Sequence, residues 1–135
     1  MATDAATSDS FGDSVSVNAD ATIAAIAALS DDDNASSSSG SVYIFTRSGS
    51  TWTQQQKLTE SPPLADNGFG RAVSISPDGS ILAISSFGNQ LTPAIQGRVY
   101  LYRRAGTTYG LFKTIYAKYP SEGNRFGRSV ALSYD

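Results

Sequence analysis

Few residues in this chain could take part in covalent chemistry. The 135 residues include no cysteine and no histidine. This excludes a thiolate nucleophile, an imidazole base, the usual serine triad and a Cys/His zinc site. Lysine, tyrosine and serine side chains remain, but no local pattern pairs a nucleophile with a base. The sequence therefore predicts a protein that is not an enzyme.

The densest group of oxygen ligands is a run of four residues, Asp31, Asp32, Asp33 and Asn34. Three adjacent carboxylates bind a hard cation only where a loop wraps around it, because neighbouring side chains diverge. The alternative is a solvated loop that binds nothing. The corresponding stretch later in the chain has Asn89 and Gln90 and no acids. We expect both stretches, residues 30–39 and 87–96, to be candidate ligand-facing loops.

The chain repeats itself at a nearly constant interval. A word that begins with Phe-Gly recurs at residues 11–17, 69–75 and 126–132. A Gly-x-Val-Tyr word recurs at residues 40–45 and 97–102, and Trp52 corresponds to Tyr109. All of these offsets are 57 or 58 residues, and three words in one register indicate a repeat architecture.

Each unit is predicted to form four short strands. Val15 with Val17, and Val73 with Ile75, alternate with small or polar residues, which is typical of a strand with one buried face. The second strand is a nearly continuous apolar run at residues 23–29 and 81–84, as expected for a strand covered on both faces. A short Ala-rich helix is the alternative for residues 23–29.

The Gly-x-Val-Tyr word predicts the third strand, and a turn at residues 47–50 or 104–107 leads into the fourth. Simple alternation places four fourth-strand side chains of each unit on one face: Trp52, Gln54, Gln56 and Leu58 in the first unit, and Tyr109, Leu111, Lys113 and Ile115 in the second.

A four-stranded unit repeated at a fixed period indicates β-propeller blades. The predicted fold is all-β, a partial propeller built from units of about 57 residues. The predicted divisions are a polar segment at 1–10, blade 1 at 11–68, blade 2 at 69–125 and the first strand of a third blade at 126–135. Because propellers have about four to eight blades, we expect either a fragment or a subunit that needs further copies.

The Phe-Gly word, the apolar second strand and the Gly-x-Val-Tyr strand together resemble FG-GAP repeats, the blades of integrin α-subunit heads. The resemblance covers residues 11–132. It implies a non-catalytic module for protein or glycan binding, in adhesion or at the cell surface, outside the cell. The alternatives are an accessory domain of a larger secreted enzyme and a self-assembling scaffold.

Two features of that family are missing from this chain. The Gly-Ala-Pro word would fall at residues 27–29 and 85–87, and neither stretch contains it. The family's Asp-rich calcium loop would fall at residues 18–22 and 76–80, where the alternating oxygen ligands are lacking. We therefore expect no cofactor and no metal, although the resemblance alone would allow calcium.

The residues that recur in every unit are predicted to be structural anchors between blades: Phe11, Gly12, Phe69, Gly70, Phe126, Gly127, Trp52 and Tyr109. The alternative is that the aromatic residues stack on a ligand. A residue repeated in each blade favours the architectural interpretation.

The two halves of the chain carry opposite charge. Residues 1–68 hold nine acids and two bases, a net charge of −7, whereas residues 69–135 hold three acids and eight bases, a net charge of +5. Drift of surface residues would explain this, and so would head-to-tail attraction between an acidic blade and the basic blade of another copy or of flanking sequence. With a total charge of −2 and no recognised module, we expect no nucleic-acid partner. No stretch approaches the roughly 18 to 20 apolar residues of a membrane span.

Overall fold

The computed structural model describes residues 2–4, 6–32, 37–87, 97–118 and 126–134. These residues form two four-stranded antiparallel sheets, each with its strands in sequence order. Blade 1 consists of β1 (Phe11–Val17), β2 (Ile23–Ala28), β3 (Ser41–Ser48) and β4 (Thr51–Thr59). Blade 2 consists of β5 (Val73–Ile75), β6 (Ile81–Ser86), β7 (Arg98–Ala105) and β8 (Thr108–Tyr116).

The all-β prediction is confirmed, since the described residues form two successive propeller-like blades that do not close a ring. The helical alternative for residues 23–29 is wrong, because β2 occupies that stretch. Five of its six residues are buried, as the continuous apolar run predicts. The described part of the chain has no helix that could cross a membrane.

The two blades lie face to face over one hydrophobic core. Along each strand alternate side chains point to opposite faces, so one face of blade 1 and one face of blade 2 supply this core. Blade 1 supplies Ile23, Ala25, Ala27, Val42, Ile44 and Leu58. Blade 2 supplies Phe69, Val73, Ile75, Leu82, Ile84, Tyr100, Tyr102 and Tyr109.

The opposite face of blade 1 has only a partial cover. Ala24, Ala28, Tyr43 and Phe45 form a second, smaller cluster there with Ala2, which belongs to the N-terminal segment. The prediction that Val15 and Val17 share a buried face is wrong, since both are exposed on β1. Their counterparts Val73 and Ile75 are buried, because blade 1 lies against them.

A β-bulge in each fourth strand corrects the predicted side-chain faces. Gln54 is paired with Phe45 and Gln56 with Ile44, so Gln55 is an extra residue. The bulge reverses the alternation, and Gln56 and Leu58 face blade 2 while Trp52 and Gln54 face away. An equivalent bulge at Phe112 separates Tyr109 and Leu111 from Lys113 and Ile115. The prediction of one shared face is therefore wrong for both strands.

The predicted first strand of a third blade is not formed as a strand. Residues 126–134 do not form a strand, and no described strand pairs with them. They nevertheless lie on blade 2 as residues 69–75 lie on blade 1. The amide of Leu132 donates to Ser74 Oγ at 3.0 Å, and the amide of Ile75 donates to Ser16 Oγ at 3.0 Å.

Candidate functional site

Asp31, predicted to face a ligand, is buried inside blade 1. Lys57 Nζ lies 2.8 Å from its carboxylate and 2.7 Å from that of Asp4. Ser41 Oγ also donates to Asp31. The structure therefore differs from the prediction, because this carboxylate is held by an ammonium and a hydroxyl of the same blade.

The Asp31 cluster shifts the pKa of its members. Burial opposes the charge of Lys57, but hydrogen bonds to Asp31 and Asp4 outweigh it and raise the pKa above its usual value. The hydrogen bond from Lys57 lowers the pKa of Asp4. Burial, followed by the hydrogen bond to Asp4, raises the pKa of Tyr43. The cluster is consequently a network of paired charges inside blade 1.

The other predicted loop residues are mostly beyond what the structure describes. Asp32 is exposed, and its Oδ1 accepts a hydrogen bond of 2.7 Å from the amide of Ser38. Asp33, Asn34, Asn89 and Gln90 lie outside the described residues. Their role as ligand-facing residues stays a prediction.

A cleft of about 250 Å³ lies between the two blades, where the loops after β2 and β6 begin. We call it the inter-blade cleft. Its lining comes from both loops and from the connection that joins the blades: Leu29, Ser30, Ser38, Asp66, Asn67, Gly68, Arg71 and Phe87.

The backbone of the connection fixes the shape of the inter-blade cleft. Asp66 and Gly68 have positive φ angles of 57° and 60°, which suit Asp and Gly in a tight turn. The amide of Asp66 donates to the carbonyl of Ser37 at 3.0 Å, and the amide of Phe87 donates to the carbonyl of Asn67 at 3.1 Å. The connection is thus tied to the loops of both blades.

Glu60 forms a buried polar centre behind the inter-blade cleft. Its carboxylate accepts hydrogen bonds from Asn67 Nδ2 and the Tyr100 hydroxyl, and Arg98 lies 3.0 Å away. Burial, followed by the hydrogen bond to Glu60, raises the pKa of Tyr100 to about 12. Among the described residues, Asn67 Oδ1 is the buried side-chain atom without a hydrogen-bond partner.

Arg71 brings positive charge and an aromatic contact to the wall of the cleft. Its guanidinium carbon lies 5.0 Å from the centre of the Phe87 ring, within the range of a cation–π contact. Its NH1 atom lies 3.6 Å from the Asp13 carboxylate of blade 1. Arg71 therefore connects the cleft to the contact between the blades.

The arrangement suits binding more than catalysis. Asp66 and Arg71 are the ionisable residues of the described lining, and hydroxyl, amide and aromatic groups complete it. Such a mixture orients a ligand by hydrogen bonds and apolar contact. Phe87 lies in a predicted ligand-facing loop, whereas Asp66 and Asn67 were not predicted to belong to a site. An Asp-Asn-Gly run directly before a Phe-Gly word is a turn signal that could have identified the connection.

The turns between the first two strands of each blade use their carboxylates internally. Asp20 Oδ1 accepts from the amide and hydroxyl of Thr22. Asp78 Oδ1 accepts from the hydroxyl of Ser76 and from the amide of Ser80. These bonds lower the pKa of both acids, that of Asp78 to about 2. No group of three metal-binding side chains occurs among the described residues, and the absence of calcium from these turns stays a prediction.

The predicted anchor residues differ in burial. Phe69 and Tyr109 are buried between the blades, whereas Phe11 and Trp52 are partly exposed on blade 1. Gly12, Gly70 and Gly127 all have positive φ angles. A Cβ atom on Gly127 would lie 2.9 Å from Ser85 Cβ, so the third Phe-Gly word also lies close against the blade before it.

Comparison with known families fits this geometry. The FG-GAP repeat model matches residues 1–45 and 52–102. The second match begins within β4 and ends within β7, so it crosses from blade 1 into blade 2. Comparison with curated proteins gave no match. Since the matched segments cover more than half of the chain, the resemblance is confirmed and this chain belongs to the FG-GAP repeat family.

Proposed function

We propose that this chain is a non-catalytic module that binds a protein or a glycan in the inter-blade cleft. The observation that carries the proposal is the position of the cleft where the loops of both blades meet. Ser30 and Ser38 come from the loop after β2, and Phe87 comes from the loop after β6. Loops held by a rigid β scaffold are common places for recognition.

The chemistry of the lining favours a ligand rich in hydroxyl or amide groups. Phe87 offers an apolar surface, Asp66 an exposed acceptor and Arg71 a donor with positive charge. Peptide segments and sugars both present donors and acceptors beside apolar patches. The family membership supports an interaction role in adhesion, at the cell surface or outside the cell. Labelling of intact cells with a membrane-impermeant reagent would test this location.

The binding test uses a glycan array and a peptide library with the wild-type chain. Phe87→Ala and Asp66→Asn should weaken the binding signal, because the first removes the aromatic wall of the cleft and the second removes its negative charge. Phe112→Ala and Asp20→Asn are matched controls on exposed residues outside the cleft. A ligand that binds the wild type and the cleft variants equally would contradict the proposed site.

We also propose that the module acts without calcium. Both candidate turns already use their carboxylates as internal acceptors, and neither supplies the six to eight oxygens that Ca²⁺ takes. Calorimetric titration with Ca²⁺ should show no binding heat and no change in melting temperature. A stabilisation that saturates with added Ca²⁺ would overturn this proposal.

A further inference from the structure

The face of blade 1 that points away from blade 2 is apolar and only partly covered. We call it the open face, and its members are Phe11, Val15, Val17, Ile26, Phe45 and Trp52. Four of them, Phe11, Ile26, Phe45 and Trp52, line a hollow of about 250 Å³ together with Ala24. Val15 and Val17 project from β1 with exposed fractions of 56% and 52%. Exposed apolar patches of this kind mark interaction surfaces.

The repeat itself identifies what fits this face. The equivalents of Phe11, Val15 and Val17 in blade 2 are Phe69, Val73 and Ile75, and blade 1 buries all three. Blade 1 does so with the face that carries Ile23, Ala25, Val42, Ile44 and Leu58. A surface with that pattern is therefore the complement of the open face.

Blade 2 carries such a surface on the side away from blade 1. We call it the distal face, and its residues stand at the positions of those blade 1 residues, 57 or 58 further along the chain: Ile81, Ala83, Val99, Leu101 and Ile115. The distal face already holds one Phe-Gly word. A Cβ atom on Gly97 would overlap the backbone of Phe126, as a Cβ atom on Gly40 would overlap that of Phe69.

We propose that the open face of one copy of this chain binds the distal face of a second copy, head to tail. The contact repeats the interface already present between blades 1 and 2. Residues 11–17 of the second copy would take the place of residues 126–134 and add a complete blade behind it. A head-to-tail contact of this kind gives a closed ring when its rotation closes. With two blades from each copy and about four to eight blades in a ring, two to four copies would form it.

The charge pattern favours a second copy. Among the described residues, both inter-blade ion pairs join an acid of blade 1 to a base of blade 2, Asp13 with Arg71 and Glu60 with Arg98. In a head-to-tail ring the acidic and basic blades alternate, so every contact joins opposite charges. The residue after Phe-Gly is Arg71 in blade 2. The second copy would place Asp13, of opposite charge, at the equivalent position of the next blade, whereas the chain's own third Phe-Gly word places Arg128, of like charge, there.

The test is sedimentation analysis of the 135-residue chain at about 10 to 100 µM, a range that detects weak association. The wild type should sediment as two to four copies of 14.2 kDa each. Val17→Glu on the open face and Ile115→Glu on the distal face should each give a monomer. Ser50→Glu, which adds the same charge at an exposed hairpin tip, should leave the association unchanged.

Mixing the two variants separates head-to-tail binding from other modes. Val17→Glu keeps a distal face and Ile115→Glu keeps an open face, so an equimolar mixture should form a complex of two chains. A wild type that stays monomeric over this range would overturn the proposal and leave the open face to a different blade. Association that Val17→Glu abolishes and Ile115→Glu leaves intact would also overturn it, because the open faces would then pair with each other.

Both substitutions lie at partly exposed positions, so the monomer fold should survive. Circular dichroism and urea midpoints close to those of the wild type would verify this.

Residues 126–134 of the chain and residues 11–17 of the second copy would compete for one position on the distal face. Leu132→Asp tests this shared position, because it should loosen residues 126–134 and so remove a competitor that is tethered to the same chain. Association should then become tighter, and weaker association would contradict the shared position.

Discussion

Blades 1 and 2 contain the same internal contact and differ in what covers it. The rings of Phe11 and Tyr43 meet edge to face with centroids 5.6 Å apart, and those of Phe69 and Tyr100 do so at 5.4 Å. Phe11 is nevertheless 39% exposed, whereas Phe69 is completely buried. The repeated motif determines the aromatic pair, and the preceding blade determines its burial.

The first strands of the two blades show the same separation of causes. β1 has seven residues and β5 only three, yet the apolar residues of the shorter strand are the buried ones. The first strand of a blade therefore forms its hydrogen bonds to the second strand without contact with a preceding blade. Burial of the first strand does require it, and this contact supplies most of the hydrophobic core.

The largest expected effect comes from truncating the buried member of the repeated pair. Phe69→Ala should destabilise the chain by about 3 to 5 kcal/mol, because a fully buried ring leaves a cavity. Phe11→Ala should cost about 1 to 2 kcal/mol, since no blade covers that ring. Urea unfolding measures both values. Equal losses would mean that the preceding blade adds nothing, and Phe69→Leu provides a milder variant if Phe69→Ala does not fold.

A pair of glycines isolates the steric part of the blade contact. Gly40 and Gly49 both have positive φ angles, 83° and 61°, so alanine is strained at either position. A Cβ atom on Gly40 would also overlap the Phe69 backbone, while nothing lies within 4 Å of one on Gly49. Gly40→Ala should therefore cost about 3 kcal/mol and Gly49→Ala about 1 kcal/mol in urea unfolding. Similar losses would assign the effect to backbone strain alone.

The sequence predicts the repeat, the strands and their order well, because period and alternation are local patterns. It mispredicts Val15 and Val17, which have the same pattern as Val73 and Ile75. What distinguishes the two pairs is a neighbouring blade, and no local pattern records that. The sequence does not reveal Gln55 as the extra residue of the bulge for a similar reason. Gln54 and Gln56 are the same residue type, so a prediction by simple alternation continues past the bulge without any change of pattern.

The candidate site was less accessible to prediction than the fold. The loops at 30–39 and 87–96 were expected to face a ligand, and the cleft does lie where they begin. Asp31 does not face a ligand, because its carboxylate pairs with Lys57 inside blade 1. Asp66 and Asn67 depend on the backbone conformation of the connection, which residue types suggest only as a turn.

The bulge in β4 provides a smaller test of the two faces of blade 1. Gln56, turned toward blade 2, accepts from the Tyr109 amide at 2.7 Å and donates to its carbonyl at 3.0 Å. Gln56→Ala should cost about 1 to 2 kcal/mol, since it leaves these backbone groups unpaired.

Gln54→Ala is the matched control on the open face, where the described contacts of the side-chain amide are its two hydrogen bonds with exposed Thr3. It should change stability by less than about 0.5 kcal/mol. Amide exchange at Tyr109 should accelerate in Gln56→Ala only. If amide exchange at Tyr109 accelerated in both variants, the hydrogen bonds from Gln56 would not be what protects this amide.

The smallest effect is a pH dependence that the two strand-connecting turns share. Hydrogen bonds from Ser76 and Ser80 lower the pKa of Asp78 from 3.8 to about 2 in the folded chain, and those from Thr22 lower that of Asp20. A carboxyl group with a lowered folded pKa stabilises the folded state above its unfolded pKa, and this contribution disappears as the pH falls through the folded value. The urea midpoint of the wild type should thus decrease between about pH 4 and pH 2.

Asp78→Asn keeps an acceptor oxygen without the titration, so it should flatten part of this decrease, and Asp20→Asn should flatten another part. If neither substitution alters the decrease of the urea midpoint at low pH, the two turns do not contribute to this decrease. The cluster of Asp4 and Lys57 in blade 1 is then its source.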